Sequence, residues 1–248
     1  MATLFEQTVA AHTGHARADS APPAASGRVL GTADVDAFVH AVLGPDDRAA
    51  LDIVRRTVAD GVRHDAIYAD LMTPAAYRLG ELWEADDCDF VAVTIALGRM
   101  QRALRDVSHV FASSTANPHP TGSALLTCVT GEQHTLGIVM IADMLARDGW
   151  RVHVGVPWTD TDLRTLVRSE PFDLIGFSVA CEGRITQLRR QVTMLRSSSR
   201  NPAVRILVGG QAFAGRPDLV KRVDADGFAE TVHDIVPVAR RLLAAARG

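Results

Sequence analysis

The spacing of apolar and polar positions divides the chain into two differently patterned halves. From Thr32 to about Phe111, apolar residues recur every three or four positions. This predicts helices over Asp34 to Leu43, Asp46 to Asp60, about Asp65 to Ala85, and Asp89 to Phe111. Each start carries an acidic or hydroxyl side chain able to accept the orphan N–H groups of a first helical turn. Four short helices with small connections predict an antiparallel bundle. After SSTANPHPTG (113–122) the pattern changes to short β-branched runs alternating with amphipathic stretches. The predicted strands are ALLTCVT, RVHVGV, DLIGFSVA, VRILVGG and DGFA, and helices follow near Thr135, Asp160, Arg184, Pro217 and Thr231. Such alternation predicts an α/β fold: an N-terminal four-helix cap followed by a flavodoxin-like, doubly wound sheet of five parallel strands. In these sheets ligands sit beyond the carboxyl ends of the strands, at the point where strand order reverses. The loops after the first, third and fourth strands are therefore where chemistry is expected.

Punctuation suggests four segments. Residues 1–31, which include GHARADSAPPAASGRVLG, lack any period and read as a flexible leader. Residues 32–112 form the helical cap, 113–122 a Pro- and Gly-containing linker, and 123–248 the α/β domain.

Composition narrows the function classes. With 47% apolar and 22% charged residues and a formal net charge of −3, the chain reads as globular and has no overall basic footprint for a phosphate backbone, so direct nucleic-acid binding is not expected. The basic stretches RRTVADGVR, RDVSHVF and LRRQVTMLR have helical spacing and read as solvated faces. Cys88, Cys128 and Cys181 are far apart and form no C-x-x-C pair, which argues against disulfides and zinc and suits a reducing compartment. No apolar run reaches the roughly 18 residues of a membrane span. The expectation is a cytoplasmic protein.

The candidate chemistry lies in Gly131-Glu132-Gln133-His134-Thr135-Leu136-Gly137, directly after the first strand. An isolated E-x-H is more often an ordinary polar loop. At a strand mouth, however, an imidazole with a nearby carboxylate suits metal ligation, because the second group fixes the tautomer and raises basicity. Ser178 closes the third strand and Gly209-Gly210 the fourth, so a hydroxyl and two positions without side chains converge on the same edge. His12, His15, His40, His64, His109, His119, His153 and His233 are scattered without ligand spacing.

This set, E-x-H-x-x-G, then Ser, then Gly-Gly, resembles the cobalamin-binding domains of methionine synthase, methylmalonyl-CoA mutase and corrinoid carrier proteins. The resemblance implies cobalamin as cofactor (adenosyl-, methyl- or hydroxocobalamin) with His134 as lower cobalt ligand. It implies that the dimethylbenzimidazole tail slides in beside Ser178 and the glycine pair, and it extends the contact set to Glu132, Gln133, Thr135, Gly137, Ala180, Gln211 and Phe228. The family has Asp where this chain has Glu132.

The segment LMTPAAYRLGELWEADDCDFVAVTIALGRMQRAL resembles the cap of the CarH-type light sensors, in which a Trp is followed after nine residues by Glu-His over the upper face of the corrin. Here Trp83 is followed at that distance by Val93-Thr94, so the upper imidazole is missing at that position. Trp83, Val93, Thr94 and Leu97 are the corresponding cofactor-facing expectations. The phrases TPAAYRLGELWE, GRMQRAL and GEQHTLGIVMIADMLARDGW, together with the absence of an attached DNA-binding module in the sequence, resemble the AerR/PpaA antirepressors of photosynthesis genes. That resemblance covers about residues 33 to 247. It implies a non-enzymatic, light-responsive transcriptional regulator acting on a partner repressor of the CrtJ/PpsR type. The alternatives are a corrinoid carrier serving a methyltransferase, or a haem-binding redox or light sensor with His134 as axial ligand.

Overall fold

The computed structural model describes residues 28–112, 120–132, 135–155 and 158–247, the side chains of 107 and 109–112 excepted. Most of the expected leader and linker, and Gln133 and His134, lie outside the described residues.

The N-terminal half comprises α1 (Thr32–Leu43), α2 (Ala49–Ala59), α3 (His64–Ala66), a π-helical segment (Ile67–Met72), α4 (Thr73–Glu84) and α5 (Phe90–Ala112). At the start of α1 the Gly31 N–H donates to the Asp34 carboxylate at 2.9 Å. At its end, Arg99 of α5 donates to the carbonyls of Val42 and Gly44 at 2.8 and 2.6 Å, placing a cation on the negative pole of the helix. Phe38, Val42, Val54, Leu71, Leu79, Met100 and Leu104 are fully buried between the helices.

The third helix was expected to be one regular element. It instead passes through a π turn, where the Thr73 N–H bonds back to the Tyr68 carbonyl and the Thr73 hydroxyl donates to the same oxygen at 2.8 Å. The next residue is Pro74, which has no N–H to offer the preceding turn, so the ladder must shift there.

The C-terminal half runs β1 (Ser123–Cys128), α6 (Leu136–Arg147), β2 (Arg151–Gly155), α7 (Asp160–Ser169), β3 (Leu174–Ser178), α8 (Ile185–Ser198), β4 (Arg205–Gly209), α9 (Pro217–Arg222), β5 (Gly227–Ala229) and α10 (Ile235–Arg247). The strands form one parallel sheet in the order β2-β1-β3-β4-β5, with Leu126 opposite Gly176, Gly176 opposite Leu207, and Gly209 opposite Ala229. This is the cap and doubly wound α/β sheet expected from the sequence. Order reverses between β1 and β3, so the crevice opens beside the β1 exit.

Two cores follow from the two faces. On one, Leu125, Ile175, Phe177, Ile206 and Val208 pack with α7, α8 and α9. On the other, Leu126, Leu174 and Leu207 pack with α6 and α10 in a cluster that continues into the helical half through Tyr68, Met72 and Met100. The helical unit and the sheet thus share one apolar interior. No helix of the described residues is long and apolar enough to cross a membrane.

Candidate functional site

Between the sheet and helices α6 and α10 lies a small apolar cleft lined by Ile141, Gly176, Leu207, Gly209, Ala229 and Ile235, with a cavity volume of about 20 Å³. Small residues keep it open. A Cβ at Gly176 would stand 2.6 Å from Leu126 Cδ2, and one at Gly209 would stand 3.0 Å from the Ala229 carbonyl.

Around its mouth, close approach replaces side-chain bulk. A Cβ at Gly137 would lie 2.9 Å from Ser178 Oγ, so the first turn of α6 rests directly on the end of β3. Gly210 has φ +100°, and a Cβ there would meet the Val179 carbonyl at 2.5 Å. Only glycine satisfies both conditions. The two residues of the pair therefore have separate reasons: Gly209 clears the cleft, and Gly210 makes the turn.

The loop leaving β1 is held by side chains from two other helices. Gly131 turns it with φ +84°, and the Glu132 N–H closes the turn onto the Val129 carbonyl at 2.8 Å. The Thr130 hydroxyl donates to Asp160 Oδ1 at 2.7 Å. Gln191 Nε2 donates to Thr130 Oγ1 at 2.6 Å and to Asp160 Oδ1 at 2.7 Å, while its Oε1 accepts the Thr130 N–H at 3.3 Å. Gln187 and Arg184 donate to the carbonyls of Thr130 and Gly131 at 2.9 and 3.1 Å. Glu132 is half-buried with Oε2 shielded from solvent. Burial, and then the charge of Glu132, push the Cys128 thiol up to about 12. Cys128 therefore stays a neutral thiol beside the loop, and thiolate chemistry is not what this corner provides.

In the helical half, the expected residues sit on the α4–α5 hairpin. Trp83 lies in the last turn of α4 with 53% of its surface exposed, so it is not part of the bundle core. Phe90, Val91, Thr94 and Ile95 form an exposed face of α5, with the Thr94 hydroxyl turned back onto the Phe90 carbonyl at 2.7 Å. Val93 is half-buried, and Leu97 packs against the core.

A second polar cluster joins the two halves. The Tyr68 hydroxyl, carried on the π segment, donates to Asp143 Oδ2 at 2.7 Å, and Arg147 Nε reaches the same oxygen at 2.5 Å. Tyr68 is fully buried. Burial first and the Asp143 charge second push its phenol far up, so it remains a donor at every physiological pH. His64 stacks edge-on against Tyr68 with ring centroids 6.2 Å apart. Its imidazole is held below its ordinary value by burial, then by the positive charge of Arg147.

Of the residues expected from sequence, Glu132, Thr135, Gly137, Ser178, Ala180, Gly209, Gly210 and Gln211 gather at the carboxyl edge, on the ends of β1, β3 and β4 or the start of α6. Gln133 and His134 belong to that loop but lie outside the described residues. Phe228, expected among the cofactor-binding residues, stands apart from the cleft. Side chains alternate along a strand, and its ring stands 6.0 Å from Phe213 on the opposite face of the sheet; Ala229 is the β5 residue that lines the cleft. Sequence reasoning missed Ile141, Gly176 and Ile235, and the polar stripe Arg184, Gln187 and Gln191. The stripe has a readable signal: three polar residues at i, i+3 and i+7, each followed by an apolar one, Ile185, Leu188 and Val192.

Two families described as B12 binding domains match the chain, one over residues 122–236 and the other over 35–106. A Rhodobacter capsulatus protein described as an uncharacterized 20.5 kDa protein in the bchF-crtJ intergenic region is 29% identical over 152 residues, 61% of this chain and 79% of that protein. The structure of the Methanosarcina barkeri monomethylamine corrinoid protein has a TM-score of 0.71 at 17% identity, covering 85% of this chain and 98% of that one.

Proposed function

Because both halves of the chain match B12 binding domains and its cofactor is cobalamin, we propose that it is a light-responsive, non-enzymatic regulator that relieves a partner repressor of the CrtJ/PpsR type. The observation that carries this reading is the relative from the bchF-crtJ intergenic region, since the sequence resemblance implies a partner repressor of the CrtJ/PpsR type.

The residues present fit the cofactor. The cleft bounded by Gly176, Gly209, Ala229, Ile141 and Ile235 is apolar and lies toward the carboxyl edge of the sheet, where a benzimidazole tail would enter. His134 is assigned as lower ligand on the loop pinned at Thr130 and Gly131, with Glu132 as its neighbouring carboxylate. Trp83 and the α5 face of Phe90, Val91, Thr94 and Ile95 are assigned to the upper side, where exposed apolar groups need a cover. An alkylcobalamin supplies a light-labile cobalt–carbon bond.

The chain's own task is to hold the cofactor, exclude water above it and convert a change on that side into a change of surface. Tyr68 and Asp143 couple the helical half to α6, the helix that starts at Leu136, two residues after His134. A shift of the α4–α5 hairpin would therefore act on both halves.

The test is a calorimetric titration of a CrtJ/PpsR-type repressor into protein loaded with adenosylcobalamin, in darkness and after green light. The expected result is an affinity that differs by about tenfold or more between the two states, the scale of ordinary allosteric coupling. Equal affinities would refute the regulatory reading, and light-insensitive protein demethylated by a corrinoid methyltransferase would place it among the carriers. His134→Ala is expected to change the bound-state absorption spectrum, and an unaltered spectrum would remove His134 as lower ligand.

A further inference from the structure

The basic stretch LRRQVTMLR falls on α8, and the fold sets it beside a second pair of arginines on α7. Both helices cover the face of the sheet opposite the cleft and the helical half. They run side by side in one direction. Gln191 Nε2 donates to Asp160 Oδ1 at 2.7 Å near the start of α7, and the Arg200 N–H, just past α8, donates to the Val167 carbonyl at 2.7 Å near its end. Leu163 and Val167 of α7, with Leu188, Val192 and Leu195 of α8, are buried against the sheet. Arg164 and Arg168, one turn apart, are left exposed on the outer side of the pair, together with Arg189, Arg190 and Arg200.

These arginines are not balanced by acids. No Asp or Glu occurs in α8, and the carboxylates of α7 are engaged elsewhere: Asp160 with Thr130 and Gln191, Asp162 with Thr159 in the capping box. Glu170, just after α7, faces His153 of β2 at 3.5 Å. Among the described residues Arg164, Arg168, Arg189 and Arg190 hold no ion pair, whereas on the helical half Arg55 holds Asp106 and Arg78 holds Glu81. Like charges gathered on one face repel one another, so the fold gains nothing from the arrangement, and an acidic surface brought against it would relieve the repulsion.

We infer that the α7–α8 face is where this protein meets its partner, and that the partner presents an acidic protein surface whose carboxylates Arg164, Arg168, Arg189, Arg190 and Arg200 receive. A phosphate backbone fits less well, because the chain carries a net charge of −3 and the arginines form a strip only two helices wide that begins beside Asp160 and Asp162. The guanidinium fork matches a carboxylate with two parallel donors, and charges on an interface rim act mainly on the rate of encounter. The inference rests on the reading that the chain acts through a partner repressor, and it adds the face and the chemistry of the contact.

The experiment uses full-length protein loaded with adenosylcobalamin and follows, by surface plasmon resonance, its association with the CrtJ/PpsR-type repressor in darkness and after green light. In the state that binds the repressor more tightly, Arg164→Glu combined with Arg190→Glu is expected to slow association about tenfold or more, and rising salt is expected to slow the unaltered protein far more than the variant. Arg56→Glu combined with Arg105→Glu makes an equal change of charge on exposed positions of the helical half and is expected to slow association much less. Corrinoid absorption bands retained by both variants report that each is folded; if the α7–α8 pair does not fold as glutamates, Arg164→Gln with Arg190→Gln carries the test. Association of the α7–α8 variant at the unaltered rate would overturn the assigned face and leave the regulatory reading standing. Equal slowing by the two charge reversals would also overturn it, since net charge alone would then be acting. No binding of the repressor by the unaltered protein in either state would overturn the regulatory reading, and this inference with it. Capture of a random-sequence DNA duplex at about 0.15 M salt, lost in the α7–α8 variant, would overturn the acidic protein partner in favour of nucleic acid.

Discussion

At the scale of single residues, the informative contrast is Phe228 against Ala229. An aromatic residue near the end of the last strand looks like a ligand contact, but strand alternation turns it toward Phe213, and the smaller neighbour faces the cleft. Sequence reading weights large and chemically active side chains; an open slot is made by the residues that are missing atoms. Gly209-Gly210 was legible because two adjacent glycines stand out, whereas Gly176 was hidden inside an apolar strand. Ala229→Leu should fill the cleft and weaken cobalamin binding by roughly tenfold to a hundredfold, the equivalent of losing about 1.5 to 3 kcal/mol of apolar burial. Equilibrium dialysis against hydroxocobalamin would measure it, with circular dichroism confirming that the fold persists. Undiminished retention would mean that the tail does not enter there.

His64 gives a second residue-scale expectation. Its folded value lies below that of the unfolded chain, so the folded protein resists protonation. Its share of stability is complete above about pH 6.5 and declines as pH falls through the folded value. Between about pH 7 and pH 5 the urea midpoint of the unaltered protein should therefore drop more steeply than that of His64→Gln. Parallel pH profiles for the two would show that His64 contributes no such penalty.

At the scale of elements, helices and strands were legible because burial imposes their periods directly, 3.6 residues on α5 and near-continuous apolarity on the two-sided strands. The π turn was not. Ile67, Tyr68, Leu71, Met72, Ala75 and Leu79 are buried at spacings a regular helix would also give, and only the missing N–H of Pro74 distinguishes the segment. That irregularity has a use, since the π segment carries Tyr68 to Asp143 on α6. Tyr68→Phe would leave the carboxylate one donor short in a buried setting, at a cost of about 1 to 3 kcal/mol. Hydrogen exchange should show faster opening of α6 and the Ile67–Met72 segment in the variant, with β4 and β5 unaffected. Unchanged exchange at α6 would mean that the hydroxyl does not couple the halves. The stripe on α8 was overlooked for a related reason: polar residues on a helix are ordinarily taken for a solvated face, and the sequence does not say which loop stands over them.

At the scale of the whole molecule, five alternating strand and helix signals were enough for the doubly wound sheet, because right-handed crossovers leave few arrangements for such a pattern. The continuity of the apolar interior from the helical half into the α6–α10 face was not readable, since amphipathic periodicity identifies a buried face without naming its partner. The cleft belongs to the sheet, the exposed Trp83 to the hairpin of the other half, and Tyr68 and Asp143 tie the two together. The account therefore depends on a cofactor whose state is changed by light while both halves hold it. The most direct measurement is the visible absorption spectrum of the purified full-length protein after reconstitution with adenosylcobalamin and removal of excess cofactor, recorded in the dark and again after green light. The account predicts corrinoid bands that stay with the protein and change on illumination; bands that stay but do not respond to light, or a protein that releases the corrinoid and takes up haem with a Soret band instead, would contradict it.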